Sequence, residues 1–257
     1  MFLLLAAACG VTPLTNKIDV GSEAFVVGIG EAPDGMTDLY AAPAGGGTVF
    51  RVTFNRLQEQ KPRLSASGAL LVYLRSSPVE TAEPEPEIVM LNLLTMAERG
   101  VRLPADAGRP TAVAWLPGDS AVAVRAGGPI WTFAAPPEPP RFTRVSSADS
   151  SRADSALAVL LGEPPFARIE TCGTGAAGVC IRTASGETSA IDSTGQGGLR
   201  WGTDSLGFFS GGTFTVRPLG AGRARYPAWR SAPAGFRELT YHPGRPGAAA
   251  VSPPGRR

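Results

Sequence analysis

One histidine, His242, and two lysines, Lys17 and Lys61, are all that 257 residues offer of those types. A single imidazole excludes every catalytic or metal-binding arrangement that needs several. With lysine so scarce the basic residues are almost all arginine, yet the net charge is only +2 and charged residues make up 18% of the chain. That balance gives no field to draw nucleic acid or an anionic membrane surface, so neither is an expected partner. Long apolar runs are missing too. Phe2 to Ala8 falls well short of the roughly 20 residues that a membrane helix needs. There is no G-x-S-x-G elbow, which argues against a serine hydrolase. GIGEAPDG from Gly28 to Gly35 lacks the glycine spacing of a dinucleotide fingerprint, and no cofactor is expected.

Cysteine is also rare, and the positions of the three residues are informative. MFLLLAAACG places an apolar run and small residues before Cys9. This resembles the end of a bacterial lipoprotein signal peptide, which implies a signal-like segment and anchor over residues 1–10 with Cys9 as the lipidated residue. An ordinary apolar N-terminus tucked against the fold is the other reading. Cys172 and Cys180 flank a glycine-rich stretch in ETCGTGAAGVCIR. In an oxidising envelope compartment such a pair can bridge a hairpin. Two buried reduced thiols are the alternative, and a zinc site would need two further ligands.

What the chain does have in quantity is turn residues. Its 32 glycines and 24 prolines exceed a fifth of the length, and the residues between them are apolar and alternating. Many short strands joined by turns fit this pattern better than disorder does. The strands also repeat. ASGALLV at Ala66–Val72, GDSAVAV at Gly118–Val124, ADSALAV at Ala153–Val159 and TDSLGFF at Thr203–Phe209 recur at steps of about 45 residues, the range of a four-stranded propeller blade.

First strands are expected near Lys17–Val20, Lys61–Ser65, Ala112–Trp115, Ser150–Ala153, Leu199–Trp201 and Tyr226–Trp229. Second strands include Ala69–Leu74 and Ala121–Arg125. Third strands begin near Asp38, Glu87, Pro129, Val179 and Thr213, and short fourth strands end at Phe54, Leu103 and Val145. Stacking such units buries faces that no lone blade can bury. Trp115, Trp201 and Trp229 are therefore read as core between blades, with a ligand-binding aromatic box as the alternative.

KPRLSASGALLVYLR, AWLPGDSAVAV and DLYAAPAGGGTVFRVTFNR resemble the repeats of TolB-type propellers, although Leu64 stands where those repeats usually carry tryptophan. The expected fold is all-β: a single propeller of four-stranded antiparallel blades over residues 11–257. Six blades are expected, closed by the N-terminal strand Val11–Asn16 pairing with a last unit that ends too soon. Five blades with a loose C-terminal tail are the alternative.

Carboxylates are the only catalytic groups left to consider. Asp34 and Asp38 share a loop region, and Asp119, Asp154 and Asp204 recur near turns. They read as an acid/base pair or calcium site on one hand and as turn caps on the other, and capping is preferred. Thr81–Glu87, TAEPEPE, reads as an extended solvated loop or a contact site.

The resemblance implies periplasmic interaction work. The expected function is thus a non-catalytic, monomeric, lipid-anchored envelope protein at the periplasm or cell surface. It would bind an envelope protein or another envelope component, and would touch the membrane only through its anchor. A propeller enzyme of polysaccharide lyase or hydrolase type, using carboxylates and arginines at the channel mouth, is the alternative.

Overall fold

A computed structural model describes residues 14, 17–32, 35–77, 86–136, 139–145, 167–172, 178–183, 186–201 and 204–245. Cys9, Val11–Asn16 apart from Leu14, the strand expected at Ser150–Ala153, Asp34, Asp154 and residues 81–85 lie outside that set. Among the described residues the protein is all-β, with one 3-10 turn at Pro117–Asp119.

The first blade contains β1 (Phe25–Glu31), β2 (Thr37–Pro43) and β4 (Phe50–Arg51), with β3 (Gly47–Thr48) in the turn between the last two. The second contains β5 (Gln58–Leu64), β6 (Leu70–Ser76), β7 (Glu87–Asn92) and β8 (Glu98–Val101). The third contains β9 (Pro110–Trp115), β10 (Ala121–Ala126), β11 (Ile130–Ala134) and β12 (Thr143–Arg144). β13 (Ala167–Thr171), β14 (Val179–Thr183) and β15 (Thr188–Asp192) form a three-stranded sheet. β16 (Gln196–Trp201), β17 (Ser205–Ser210) and β18 (Thr213–Pro218) form another, and a bridge from Val216 to Arg225 occupies its fourth position. Two last strands follow, β19 (Trp229–Arg230) and β20 (Ala234–His242).

β20 does not begin a blade of its own. It pairs antiparallel with β1, so the first sheet runs β20-β1-β2-β4 and the last strand among the described residues is its innermost. β19 meanwhile pairs in parallel with β3 at the outer turn of the same blade. Residues 229–242 thus hold the first blade at two places. The blade count is corrected accordingly: the described residues form four blades, not six and not five. Three of them are four-stranded sheets and the fourth is β16–β18 completed by the Val216–Arg225 bridge, with β13–β15 as a separate three-stranded sheet. Lys17–Val20 forms turns instead of a first strand. The unit expected at Tyr226 is the missing part of the first blade, so two expected units are one.

The reason lies in β20 itself. Its buried residues Phe236, Leu239 and His242 do not alternate, because Glu238 takes φ 51° and the register against β1 shifts at that point. A strand with a bulge loses its period of two.

The first blade packs face to face with the second and with β16–β18, the second with the third, and β13–β15 with β16–β18. The innermost strands of these neighbours touch (β20 with β5 and β16, β5 with β9, β13 with β16), as strands around a common axis do. Phe25, Val27, Ile29, Leu39 and Ala41 of the first blade meet Leu71, Tyr73, Val89 and Leu91 of the second. The other face of the second blade, with Val72, Leu74, Ile88 and Met90, meets Val113, Trp115, Val122 and Val124 of the third. On its opposite side the first blade packs Val26, Tyr40, Ala42, Phe236 and Leu239 against Trp201, Phe214 and Val216. Gly28 lies on this face because a side chain there would drive into Leu239 and Phe236, the nearest atom being 2.2 Å from an ideal Cβ. Each large apolar side chain buried in these seams contributes about 1.5 to 3 kcal/mol.

Cys172 and Cys180 form a disulfide with a Cα–Cα distance of 5.7 Å, tying the end of β13 to β14. The expected pairing is present.

Candidate functional site

Asp38, Thr53 and Glu59 are all fully buried, which is unusual for polar residues and costly unless their hydrogen bonds are satisfied. They meet at one end of the seam between the first and second blades, where the apolar packing gives way to a polar cluster. β2 supplies Asp38, the chain leaving β4 supplies Arg51, Thr53 and Asn55, and β5 supplies Glu59. Tyr73 and Arg75 of β6, Glu87 of β7 and Glu98 of β8 complete it on the second blade.

The bonds run as a chain. Arg51 forms an ion pair with Asp38 through Nη2 and Oδ2, and its Nε donates to the Thr53 carbonyl at 3.0 Å. Thr53 Oγ1 accepts the Leu39 N–H at 2.9 Å and lies 2.6 Å from Glu59 Oε2 and 3.3 Å from Asp38 Oδ1. Asn55 Nδ2 donates to Glu59 Oε1 at 2.8 Å. Thr37 Oγ1 receives the Glu59 N–H at 2.8 Å and donates back to its carbonyl at 3.1 Å. On the far side Arg75 bridges Glu87 and Glu98 at 3.0 Å each, and Tyr73 donates to Glu98 at 2.9 Å.

Four carboxyl groups therefore face two guanidinium groups, with Asp38 and Glu59 fully buried and Arg51, Arg75, Glu87 and Glu98 partly exposed. Burial pushes the Glu59 carboxyl up to about 7, against the hydrogen bonds from Thr53 and Asn55, and the negative charges of Asp38 and Glu98 add to the rise. Burial also raises Asp38, opposed by the Arg51 guanidinium. The Tyr73 phenol moves up through burial and the nearby carboxylates.

At the opposite end of the blades the turns are linked to one another. Asp119 of the third blade accepts the N–H groups of Ala66 and Ser67 in the second blade's turn, at 2.7 and 2.9 Å. His242, at the end of β20, contacts the Ala66 carbonyl through Nε2 at 3.1 Å and accepts the Gly244 N–H at Nδ1. Its ring lies over Gly68, where φ is 73° and an ideal Cβ would approach the imidazole to 2.8 Å. Three blades are joined in this way. Asp204 accepts the neighbouring Ser205 hydroxyl at 3.0 Å.

Nearer the axis the first strands carry a second kind of link. Lys61 and Glu238 both adopt positive φ, 54° and 51°, and Glu238 takes both the backbone N–H and the ammonium of Lys61, at 2.7 and 3.3 Å.

Of the carboxylates singled out in the sequence, the structure brings Asp38 into a cluster and uses Asp119 as a cap, but for the neighbouring blade's turn instead of its own. The tryptophans are packing and linking residues. Trp115 and Trp201 are buried, Trp115 Nε1 donates to the Arg63 carbonyl at 3.0 Å, and Trp229 Nε1 donates to the Pro43 carbonyl at 2.9 Å. Glu59, Arg51, Arg75 and Glu98 were not anticipated. Their one signal is parity: Tyr73 and Arg75, like Glu87 and Val89, share the strand face that carries the buried apolar residues. Among the described residues no group of three or more potential ligands forms a metal site.

No protein-family model matches the sequence, and no curated protein does. Among solved structures, one from Bacteroides uniformis named as a candidate 6-phosphogluconolactonase is 11% identical over 80% of this chain and 67% of its own, with a TM-score of 0.34. The tricorn protease is 14% identical over 81% of this chain and 20% of its own length, with a TM-score of 0.23. Likeness at that level assigns neither activity nor partner, and the propeller-like arrangement rests on the strand pairing described above.

Proposed function

We propose that the chain is a non-catalytic cell-envelope propeller lipoprotein, TolB-like in its repeats, that serves as a scaffold for binding an envelope protein or another envelope component. The observation that carries this reading is where its ionisable groups lie. Asp38 and Glu59, the carboxyl pair that an acid/base mechanism would draw on, are 0% exposed and bonded to each other's blade through Thr53. A general acid or base must reach the proton it moves. Groups placed like these hold blades together.

The disulfide supports an oxidising compartment outside the cytoplasm, and lipidation at Cys9 would supply the only membrane attachment. The protein would act as a monomer, with its blade faces buried against one another. Affinity capture tests the binding role, with the full chain as bait in envelope extracts and mass spectrometry as readout. A reproducible envelope protein absent from bait-free controls is the expected result. Hydrolysis or elimination of an envelope polysaccharide by the purified protein would overturn the non-catalytic reading in favour of the propeller enzyme. Replacing Cys9 by serine should move the protein from the membrane to the soluble envelope fraction, and a chain already soluble in the cytoplasm would end the lipoprotein reading.

A further inference from the structure

Thr53 stands between two buried carboxyl groups with a single hydroxyl proton to give. One of its two lone pairs already accepts the Leu39 N–H. If both carboxyls were ionised, the hydroxyl could serve only one of them, and the other would face an oxygen lone pair. A proton on Glu59 Oε2 resolves the conflict. Glu59 then donates to the second lone pair of Thr53 across 2.6 Å, Thr53 donates to Asp38 Oδ1, and Arg51 neutralises the Asp38 carboxylate. Every donor and acceptor along the chain is matched.

We propose that the Glu59–Thr53–Asp38 chain is a proton-operated lock between the first two blades, closed while Glu59 holds its proton and loosened when that proton is released to water.

The surrounding groups favour the closed form. From the first blade Asp38 and Arg51 face the site. From the second come Tyr73 and Arg75 on β6, Glu87 on β7 and Glu98 on β8. Ionised Glu59 would be the fourth carboxylate against two guanidiniums, and its own side chain is fully buried while Glu87 and Glu98 lie toward the partly exposed edge of the seam. Asn55 serves either state, since it donates to Oε1, the oxygen that need not carry the proton. Ionisation thus removes the Glu59-to-Thr53 donation and sets two carboxylates against one hydroxyl, while the apolar packing below is unchanged. The lock is local to this seam, which makes a change of pH a change in how firmly these two blades are held.

The test is thermal unfolding of the full chain between pH 5 and 8, for the natural sequence and for Glu59→Gln. The natural chain should lose about 5 °C or more as pH rises through this window. Glu59→Gln, which keeps the shape and can donate permanently to Thr53, should lose that slope and melt higher than the natural chain at pH 8. Equal slopes in the two proteins, or none in the natural chain, would overturn the proposal. A carbon-13 titration of glutamate carboxyls in the natural chain needs no variant. One of them should titrate with a midpoint near 7, and a full set titrating below 6 would refute the lock.

Discussion

The first blade is held on its two faces by different chemistry. Toward the second blade it presents an apolar patch topped by the Asp38–Thr53–Glu59 cluster with its ion pairs. Toward β16–β18 it presents aromatic rings. Trp201 stacks on Tyr241 at 4.4 Å and meets Phe214 at 5.2 Å, Phe214 stacks on Trp229 at 5.0 Å, and Trp229 meets Phe236 edge-on at 5.4 Å. The aromatic seam is built largely from the C-terminal segment, whose docking closes the arrangement. Rings supply area and shape at any pH. The polar seam is conditional, since its partners fit only in one state of charge. One face therefore answers for closure and the other for response to the surroundings.

Removing the C-terminal segment should break the comparison most severely. A chain ending at Ala228 lacks β19 and β20, leaving β1 with an open edge and the aromatic seam without Trp229, Phe236 and Tyr241. It should show no cooperative unfolding transition by circular dichroism, whereas a truncated chain with a near-natural melting temperature would show that β20 does not close the fold.

A pair of single substitutions sharpens the contrast. Trp201→Ala should cost about 3 to 5 kcal/mol at every pH, as a large buried ring leaves a cavity. Arg51→Ala strands the Asp38 carboxylate in a dry site, which should cost about 3 kcal/mol at pH 8. The loss should shrink toward pH 5, because burial already raises the Asp38 carboxyl and lower pH favours its neutral form, which needs no guanidinium. Denaturant titrations at both pH values check this, and a pH-independent loss in Arg51→Ala would place the ion pair outside the seam's energetics.

The disulfide lies outside both seams. Opening it by replacing Cys172 and Cys180 with serine should cost about 2 to 3 kcal/mol on the chain-entropy model and leave the pH dependence alone. Asp119→Ala removes two caps on the second blade's turn. Because that turn is exposed, the expected loss is about 1 kcal/mol, read as a small shift in the denaturant midpoint.

Much of this architecture was legible in advance, for a physical reason. Strands such as Leu70–Ser76, Glu87–Asn92 and Ala121–Ala126 alternate or run apolar between glycine-rich turns, so period and punctuation agree. The disulfide could be read from two cysteines flanking a short glycine-rich segment. Closure could not be read in the same way. That an early and a late strand share a blade fits the need to cover edges, but which segments do so depends on β20, whose pairing with β1 is hidden by the positive-φ bulge at Glu238. Val11–Asn16, expected to be the closing strand, lies outside the described residues apart from Leu14, which is buried in the core of the first seam. The polar cluster was the least legible part. Asp38 stood out as an aspartate near a turn, but Glu59 and Arg75 look like solvated charges until the register of β5 and β6 sets them on the buried face.

Glu59 makes the polar seam depend on pH, where the aromatic seam does not. A carboxyl raised from 4.5 to about 7 in the folded protein adds stability that is complete below 4.5, declines as pH rises through that window and is gone above it. Asp38, raised by burial, acts with the same sign. Native-state hydrogen exchange at pH 6 and pH 8, corrected for intrinsic rates, tests the difference between the seams directly. The Leu39 and Glu59 amides, bonded to Thr53 and Thr37, should lose protection at pH 8, while the amides of Phe209 and Phe214, paired across β17 and β18, should keep theirs. Equal loss in both places, or protection of Leu39 and Glu59 unchanged between the two pH values, would contradict the account.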